Sequence, residues 1–519
     1  MSQGRTRKLG SDPSVSAASA RRIGFLALAG TVVMAGSAEA QGFIVRPSLS
    51  ATLTYTDNVE ASKDGHEDWI AELSPAIAVS RGQGRITGSL NTRLRSVMHA
   101  RDSDRDATFV ALDGRGQVEA VEDVLFVDMA ASMSRNNTSE LNGRASDDFI
   151  ATDKANETRM LSLGPRLHFR LGGGAQGVVS YLATRLEGGG ATVGRTIGAV
   201  RANLVDTHAF GRVGWDLDYR RSDTSYDDGS EITDSRSKAY DETARARMLL
   251  TVSPQLRLGV IAGYESNDYA NRSGESSTVT GYGFEWVPTP RTTIVGQTED
   301  RVFGRSYNLA FSHRRPLSSW NFSYARDISS SGTSASGVLD DPAFRSLYES
   351  LEAEIPDPFE RENFVRQQLG YPTIGARDPF VTNNYFVART LRGSMSLIGA
   401  RNVLTFTLRR TDRSRLGDPL VSDPRDDLAT FATVKTRAAT ISLSHNLSPR
   451  ASINTSLLRS KSTGSGGGSA ETTRTVLSLG LNTRLGAQTN AVVTYRHQRA
   501  DGSSEFIENV LTASLNMQF

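Results

Sequence analysis

The chain has 519 residues, 38% of them hydrophobic, with 47 glycines, no cysteine, and 59 basic against 57 acidic residues for a net charge of +2. The near-cancelled charge gives no argument for a nucleic-acid partner. The missing cysteines exclude a disulfide framework, a thiolate metal site and a cysteine nucleophile. Beyond the N-terminus there is no run of 18 apolar residues, which excludes a helical membrane protein.

The chain opens on a basic leader ending in Arg21-Arg22, followed by the apolar stretch "IGFLALAGTVVMAG". Ala38-Glu39-Ala40 then forms a small-x-small cleavage site before Gln41, so residues 1–40 read as a cleaved signal peptide and 41–519 as the mature protein. Ile23 and Gly24 depart from the twin-arginine pattern, and Sec export of an unfolded chain is expected. A retained signal anchor is the alternative, although the apolar run is short for a span.

From residue 42 one unit recurs: about ten to fourteen residues of alternating polarity, then a turn. In "RITGSLNTRLRS" Ile86, Leu90 and Leu94 share one face, while Arg85, Ser89, Asn91, Arg93 and Arg95 share the other. "RMLSLGPRLHFRL" sets Leu161, Leu163, Leu167, Phe169 and Leu171 against Ser162, Arg166, His168 and Arg170. The pattern returns at Leu404, Phe406 and Leu408 against Arg409, and in "RTVLSLGLNTRL" with Arg474 and Arg484 opposite the leucines.

A soluble sandwich and a membrane barrel both produce such alternation. Strand length decides, because a tilted strand needs about nine to eleven residues to cross a bilayer and soluble strands average roughly half that. The connections also alternate. Short ones such as "RGQG" at 81–84, "GARN" at 399–402 and "LSPR" at 447–450 face the periplasm, and long ones (57–67, 136–155, 223–238, 328–382, 412–427, 461–470) face outwards. The expected fold is therefore all-β: an antiparallel up-and-down transmembrane barrel of about 22 strands, with 16 to 24 as the range.

One stretch breaks the strand period. In "DDPAFRSLYESLEAEIPDPFERENFVRQQLG", at 340–370, Asp341-Pro342 and Asp357-Pro358 make helix starts and Phe344, Leu347 and Leu351 share a helical face. A helical hairpin is expected in the longest outer loop, as a lid, folded into the mouth, or as decoration without a gating role. The final strand, "ENVLTASLNMQF", alternates to its last residue. Phe519 is expected at the periplasmic interface, as an aromatic anchor and as the signal presented to the barrel-assembly machinery.

In a barrel the polar face lines the lumen. Arg85, Arg93, Arg95, Arg166, Arg170, Arg409, Arg474 and Arg484 are then lumen-lining candidates able to hold carboxylates or phosphates. They could instead pair with wall carboxylates to satisfy a buried polar surface. The acidic loops "RDSDRD", "SDDFIATD", "DTSYDDGSEITD" and "GDPLVSDPRDD" lack the spacing of a calcium loop and read as solvated, sugar-facing segments, so no metal is assigned. "GSGGGSA" at 464–470 has no phosphate-loop lysine and reads as a flexible linker. The seven histidines are scattered along the chain without a nucleophile elbow or a metal spacing, and no catalytic residues and no cofactor are expected.

Several stretches, in order, add a resemblance: "RPSLSATLTYTDNV", "EDVLFVDMAASMSRNN", "IPDPFERENFVRQQLG", "ARNVLTFTLRRTDR" and the closing strand. Together they resemble the outer-membrane β-barrel family associated with the PEP-CTERM/exosortase system. The resemblance implies a barrel encoded with exopolysaccharide biosynthesis and export genes, and it implies no catalytic residue. The reading is a channel or scaffold for exopolysaccharide export, with an anionic exopolysaccharide, outer-membrane lipid and lipopolysaccharide as partners. An anion-preferring diffusion porin and a sealed structural or surface-interaction barrel are the alternatives. TonB-dependent receptors of similar strand number carry an N-terminal plug, for which the early first strand leaves no room. An unplugged barrel of this width would leak, so either there are fewer strands or the loops and the 340–370 hairpin fill the opening.

Overall fold

The computed structural model describes residues 42–136, 139–141, 156–189, 193–227, 238–270, 274–330, 344, 347–348, 351, 364–366, 369, 382–419 and 425–519. The signal peptide and cleavage site lie outside them, as does most of the 340–370 segment. The strands form one 22-stranded antiparallel sheet in sequence order. It closes where β1 (Ile44–Thr56) pairs with β22 (Phe506–Gln518) from Ser48↔Gln518 to Thr56↔Val510. Closure removes both sheet edges, which matters because an unpaired edge in lipid would leave its amides without partners.

The strands run from 10 to 16 residues, long enough to cross a bilayer when tilted. Their alternation sorts the side chains by solvent. Leucines 161 and 163, Val260 and Tyr282 are exposed on the outside, whereas Thr54, Ser162 and Thr405 are buried on the inside. The inner hydroxyls bond across the strands: Thr52 to Ser514 at 2.9 Å, Ser162 to Thr184 at 2.9 Å and Ser396 to Thr405 at 3.2 Å. A sheet that is apolar outside and polar inside is the inverse of a soluble sandwich, and it fits a barrel with lipid around it. The chain is a transmembrane barrel of the outer-membrane type.

Two outer connections are shorter than their composition suggests. The segment 461–470 is mostly strand, because β19 (Ala451–Ser465) and β20 (Ser469–Arg484) run on to a three-glycine turn. Gly466, Gly467 and Gly468 have φ of 79°, 116° and 153°, conformations that side chains disfavour, so the glycines make a tight turn there in place of a linker. Likewise β17 (Asn402–Arg415) extends into the segment expected as loop. That connection ends in a single helical turn, α1 (Asp427–Thr430), whose Leu428 is buried beside Phe386 and Val434 inside the rim.

Phe519 follows β22 at the periplasmic end. Its amide donates to the carbonyl of Pro47 at 2.9 Å, continuing the seam, and its ring is partly exposed.

Candidate functional site

Seven of the eight candidate arginines lie in strands, with side chains on the inner face. Arg95 makes two bonds to Glu72, at 2.9 and 2.7 Å, under the Phe109 ring, and Arg93 lies in the field of the same carboxylate. Arg166 makes a similar fork to Asp128, at 2.8 and 3.0 Å. Arg409 donates to Thr411 at 3.4 Å, and Arg170 and Arg484 stand exposed near the periplasmic ends of their strands. Arg85 is a correction. It falls in the turn before β3 (Ile86–His99), where it pairs loosely with Glu122 at 3.6 Å, because the strand begins one residue later than the alternation suggests. The eight do not converge on one site, and Arg95 and Arg166 pair with wall carboxylates.

Other inward ion pairs were not singled out from the sequence. Arg301 bridges Glu265 and Asp327, each at 2.6 Å, and Arg245 reaches Glu299 at 3.1 Å. The signal for Arg245 was present in the alternation of "DETARARM", but which carboxylate faces it depends on register. Two strand histidines have hydrogen-bonding neighbours: His313 lies 2.8 Å from the Thr292 hydroxyl and His497 2.8 Å from Asn509.

Two insertions from the outer side enter the lumen. The first is the segment between β15 (Ser318–Ser330) and β16 (Tyr385–Ile398). Its residues Phe344, Leu347, Leu351, Val365 and Leu369 are buried in one apolar cluster with Ile398, and Val403 packs against it. The i, i+3, i+7 and i, i+4 spacings are those of two helical faces, as the sequence suggests. The cluster's partners locate it: Ile398 and Val403 flank the short turn 399–401, at the periplasmic end of the barrel, and point inward. Described residues of a segment inserted between two outer strand ends are therefore packed at the opposite end of the barrel.

The second insertion crosses the outer mouth. Residues 139–141, between β5 (Leu125–Asn136) and β6 (Asn156–Leu171), dock on the far side of the ring. Glu140 forms an ion pair with Arg413 of β17 at 2.9 Å and accepts from the Thr436 hydroxyl of β18 (Thr433–Ser448), with Arg474 of β20 in the field of the same carboxylate. The Leu141 carbonyl accepts from Thr472 at 2.6 Å. Asp427 of α1 accepts from the Ser139 hydroxyl at 2.6 Å and from the Glu140 amide at 2.7 Å. Its neighbour Asp426 caps α1 through the Leu428 amide at 2.9 Å and accepts from Thr382 at 2.7 Å. Next to Thr382, Asn383 takes the Val193 amide at 3.0 Å, and Tyr226 donates to Tyr385 at 2.9 Å.

Asp426 and Asp427 thus tie three outer connections together, and both are buried. This corrects the reading of "GDPLVSDPRDD" as wholly solvated: its last two carboxylates are the hub of the closure. Burial pushes Asp427 up to about 6, against its hydrogen bonds and helped by Glu140, and raises Asp426 as well. At the rim, Glu60, His66 and Asp102 come together, but Arg105 already supplies a cation to Asp102 at 3.3 Å and to Glu60 at 3.5 Å.

No protein-family model matches the sequence, and no curated protein does. Solved structures match in shape. The FrpB iron transporter from Neisseria meningitidis, in its apoprotein form, aligns with a TM-score of 0.52 at 9% identity, over 91% of this chain and 81% of that one. The siderophore receptor PirA from Pseudomonas aeruginosa aligns at 0.47 and 11% identity, over 92% and 80%. At such identity the FrpB likeness is one of fold. The shared fold is the large outer-membrane barrel.

Proposed function

We propose that this protein is a gated outer-membrane channel for an anionic exopolysaccharide, in which the 340–370 insertion is the gate and the inner-wall arginines contact the passing polymer. One observation carries the gating reading: the insertion is tethered at the outer rim yet packs against Ile398 and Val403 at the periplasmic end. The wedge is held by an apolar cluster with no strand pairing among its described residues, so its release breaks no sheet hydrogen bond among them. The wall arginines supply a charge that an extended carboxylated or phosphorylated chain would recognise. The polymer itself is named by the resemblance to the exosortase-associated barrels, and no catalytic step is assigned.

The test is planar-bilayer conductance of the intact protein and of a variant lacking 340–370. The intact protein should be nearly silent, and the deletion should conduct with preference for anions. Steady conductance by the intact protein would replace the gate with an anion-preferring porin. Silence from both would replace the channel with the sealed structural barrel, a reading favoured by the bonded strap at the outer mouth.

A further inference from the structure

The outer surface of the barrel is uneven in charge. On β16 to β21 (Thr489–Gly502) the apolar face runs up from the periplasmic end through Phe406 and Leu408, Leu443 and Ile441, Leu457, and Val493 and Tyr495. The same outward alternation then continues in cations. Arg410 follows Leu408 on β17, Arg437 and Lys435 lie above Ile441 on β18, and Arg459 and Lys461 follow Leu457 on β19. Arg389 on β16 and Arg499 on β21 extend the row on either side.

Register sets these cations against each other. Arg410 is directly opposite Arg437, and Arg437 is directly opposite Lys461, on neighbouring strands about 4.8 Å apart. Like charges directly opposite destabilise a sheet, and here the arrangement persists over three strands. Carboxylates answer only part of it: Asp412 pairs with Arg410 at 2.7 Å, Glu471 with Lys461 at 2.6 Å and Asp501 with Arg499 at 2.8 Å. Arg389, Lys435, Arg437 and Arg459 have no ion pair among the described residues. On the other flank two such cations are matched. Arg185 pairs with Asp227 at 2.6 Å, and Arg221 with Asp223 at 3.0 Å and Glu242 at 3.4 Å.

We infer that this flank binds a phosphorylated glycolipid of the outer leaflet, of the lipid A kind. The inference rests on the outer-membrane placement and is independent of what the lumen carries. The occupant follows from two adjoining chemistries: a phosphate beside Arg437 and Lys461 relieves the like-charge rungs, and acyl chains cover the apolar band below. A soluble anion satisfies the first and leaves the second bare. An uncharged lipid does the reverse.

The test uses the purified full chain in detergent, with retained lipid measured by native mass spectrometry after incubation with hexa-acylated lipid A, with its chemically dephosphorylated form, or with inorganic phosphate. Lipid A should be retained well above the other two. The triple variant Arg437→Gln/Arg459→Gln/Lys461→Gln should lose about a hundredfold in affinity, at about fivefold per cation near a membrane surface. Arg221→Gln, on the other flank, should lose nothing. Should the triple variant not fold, as judged by heat-modifiable migration, Arg437→Gln alone should still lose about fivefold. Equal retention of the dephosphorylated lipid, equal retention by the folded triple variant or by Arg437→Gln, or equally tight inorganic phosphate would each overturn the inference.

Discussion

The two ends of the lumen carry contacts of opposite chemistry. At the periplasmic end the contact is apolar: Phe344, Leu347, Leu351, Val365 and Leu369 gather on Ile398. At the outer mouth it is polar, with Glu140 held by Arg413 and Thr436 and with Asp426 and Asp427 collecting hydroxyls and amides from distant loops. The apolar contact is non-directional, so it tolerates sliding and depends mainly on buried area. The polar contact is directional and costly to leave half-made, because a buried charge that loses its partner keeps its desolvation penalty. One end therefore resembles a wedge and the other a latch, and each is sensitive to a different perturbation.

The largest effect should come from charging the wedge. Leu347→Asp with Leu351→Asp places carboxylates in a cluster where even truncation to alanine typically costs about 2–5 kcal/mol per leucine. The variant should conduct in planar bilayers much as the 340–370 deletion does, while the barrel still migrates as a folded, heat-modifiable species. Wild-type silence in that variant would remove the wedge from the gate.

Breaking the latch should come next. Glu140→Ala removes the carboxylate that pairs with Arg413 and acts on Arg474, a change of about 3–5 kcal/mol by analogy with other broken buried pairs. Because the chain has no cysteine, a single Leu141→Cys reports docking through its rate of thiol modification. That rate should rise strongly in the Glu140→Ala background. If conductance rises equally, the two ends open as one unit and the contrast between them fails.

A smaller and graded effect is expected from pH. Asp427 is raised to about 6 from an ordinary 3.8 by burial, so the docked strap favours its protonated form. The sign follows directly. The stabilising contribution is complete below about pH 4 and is lost as pH rises through about 6. Modification of Leu141→Cys, normalised to a free thiol at each pH, should quicken between pH 5 and pH 7 by about tenfold or less. Asp427→Asn should flatten that dependence, and a slope unchanged by the substitution would assign the titration to another group.

The smallest effect on the lumen is expected at the seam, which both closures share. Phe519→Asp should lower the yield of assembled, heat-modifiable barrel several-fold, through loss of the terminal aromatic anchor. Molecules that do assemble should keep the conductance of the wild type. A normal yield would separate Phe519 from assembly.

Strand parity was legible because it is local: a period of two says which side chains share a face without reference to any other strand, and it placed Arg95 and Arg166 on the inner wall and Leu90 and Leu161 outside. Helix period was legible on the same ground, so Phe344, Leu347 and Leu351 could be grouped as one buried face. Counting the alternating runs supplied about 22 strands, with 16 to 24 as the range, and the closed sheet has 22. What local pattern does not contain is the partner across a gap. That Phe344, Leu347 and Leu351 meet Ile398, that Glu140 meets Arg413 from the far side of the ring, and that Asp426 and Asp427 are buried in place of being solvated are matters of closure and register. So is the alignment of Arg410, Arg437 and Lys461 on adjacent strands. Alternation by itself determined which face each residue occupies, and only the closed ring decided which residues stand opposite, because a contact between positions hundreds of residues apart is set by how the chain comes back on itself.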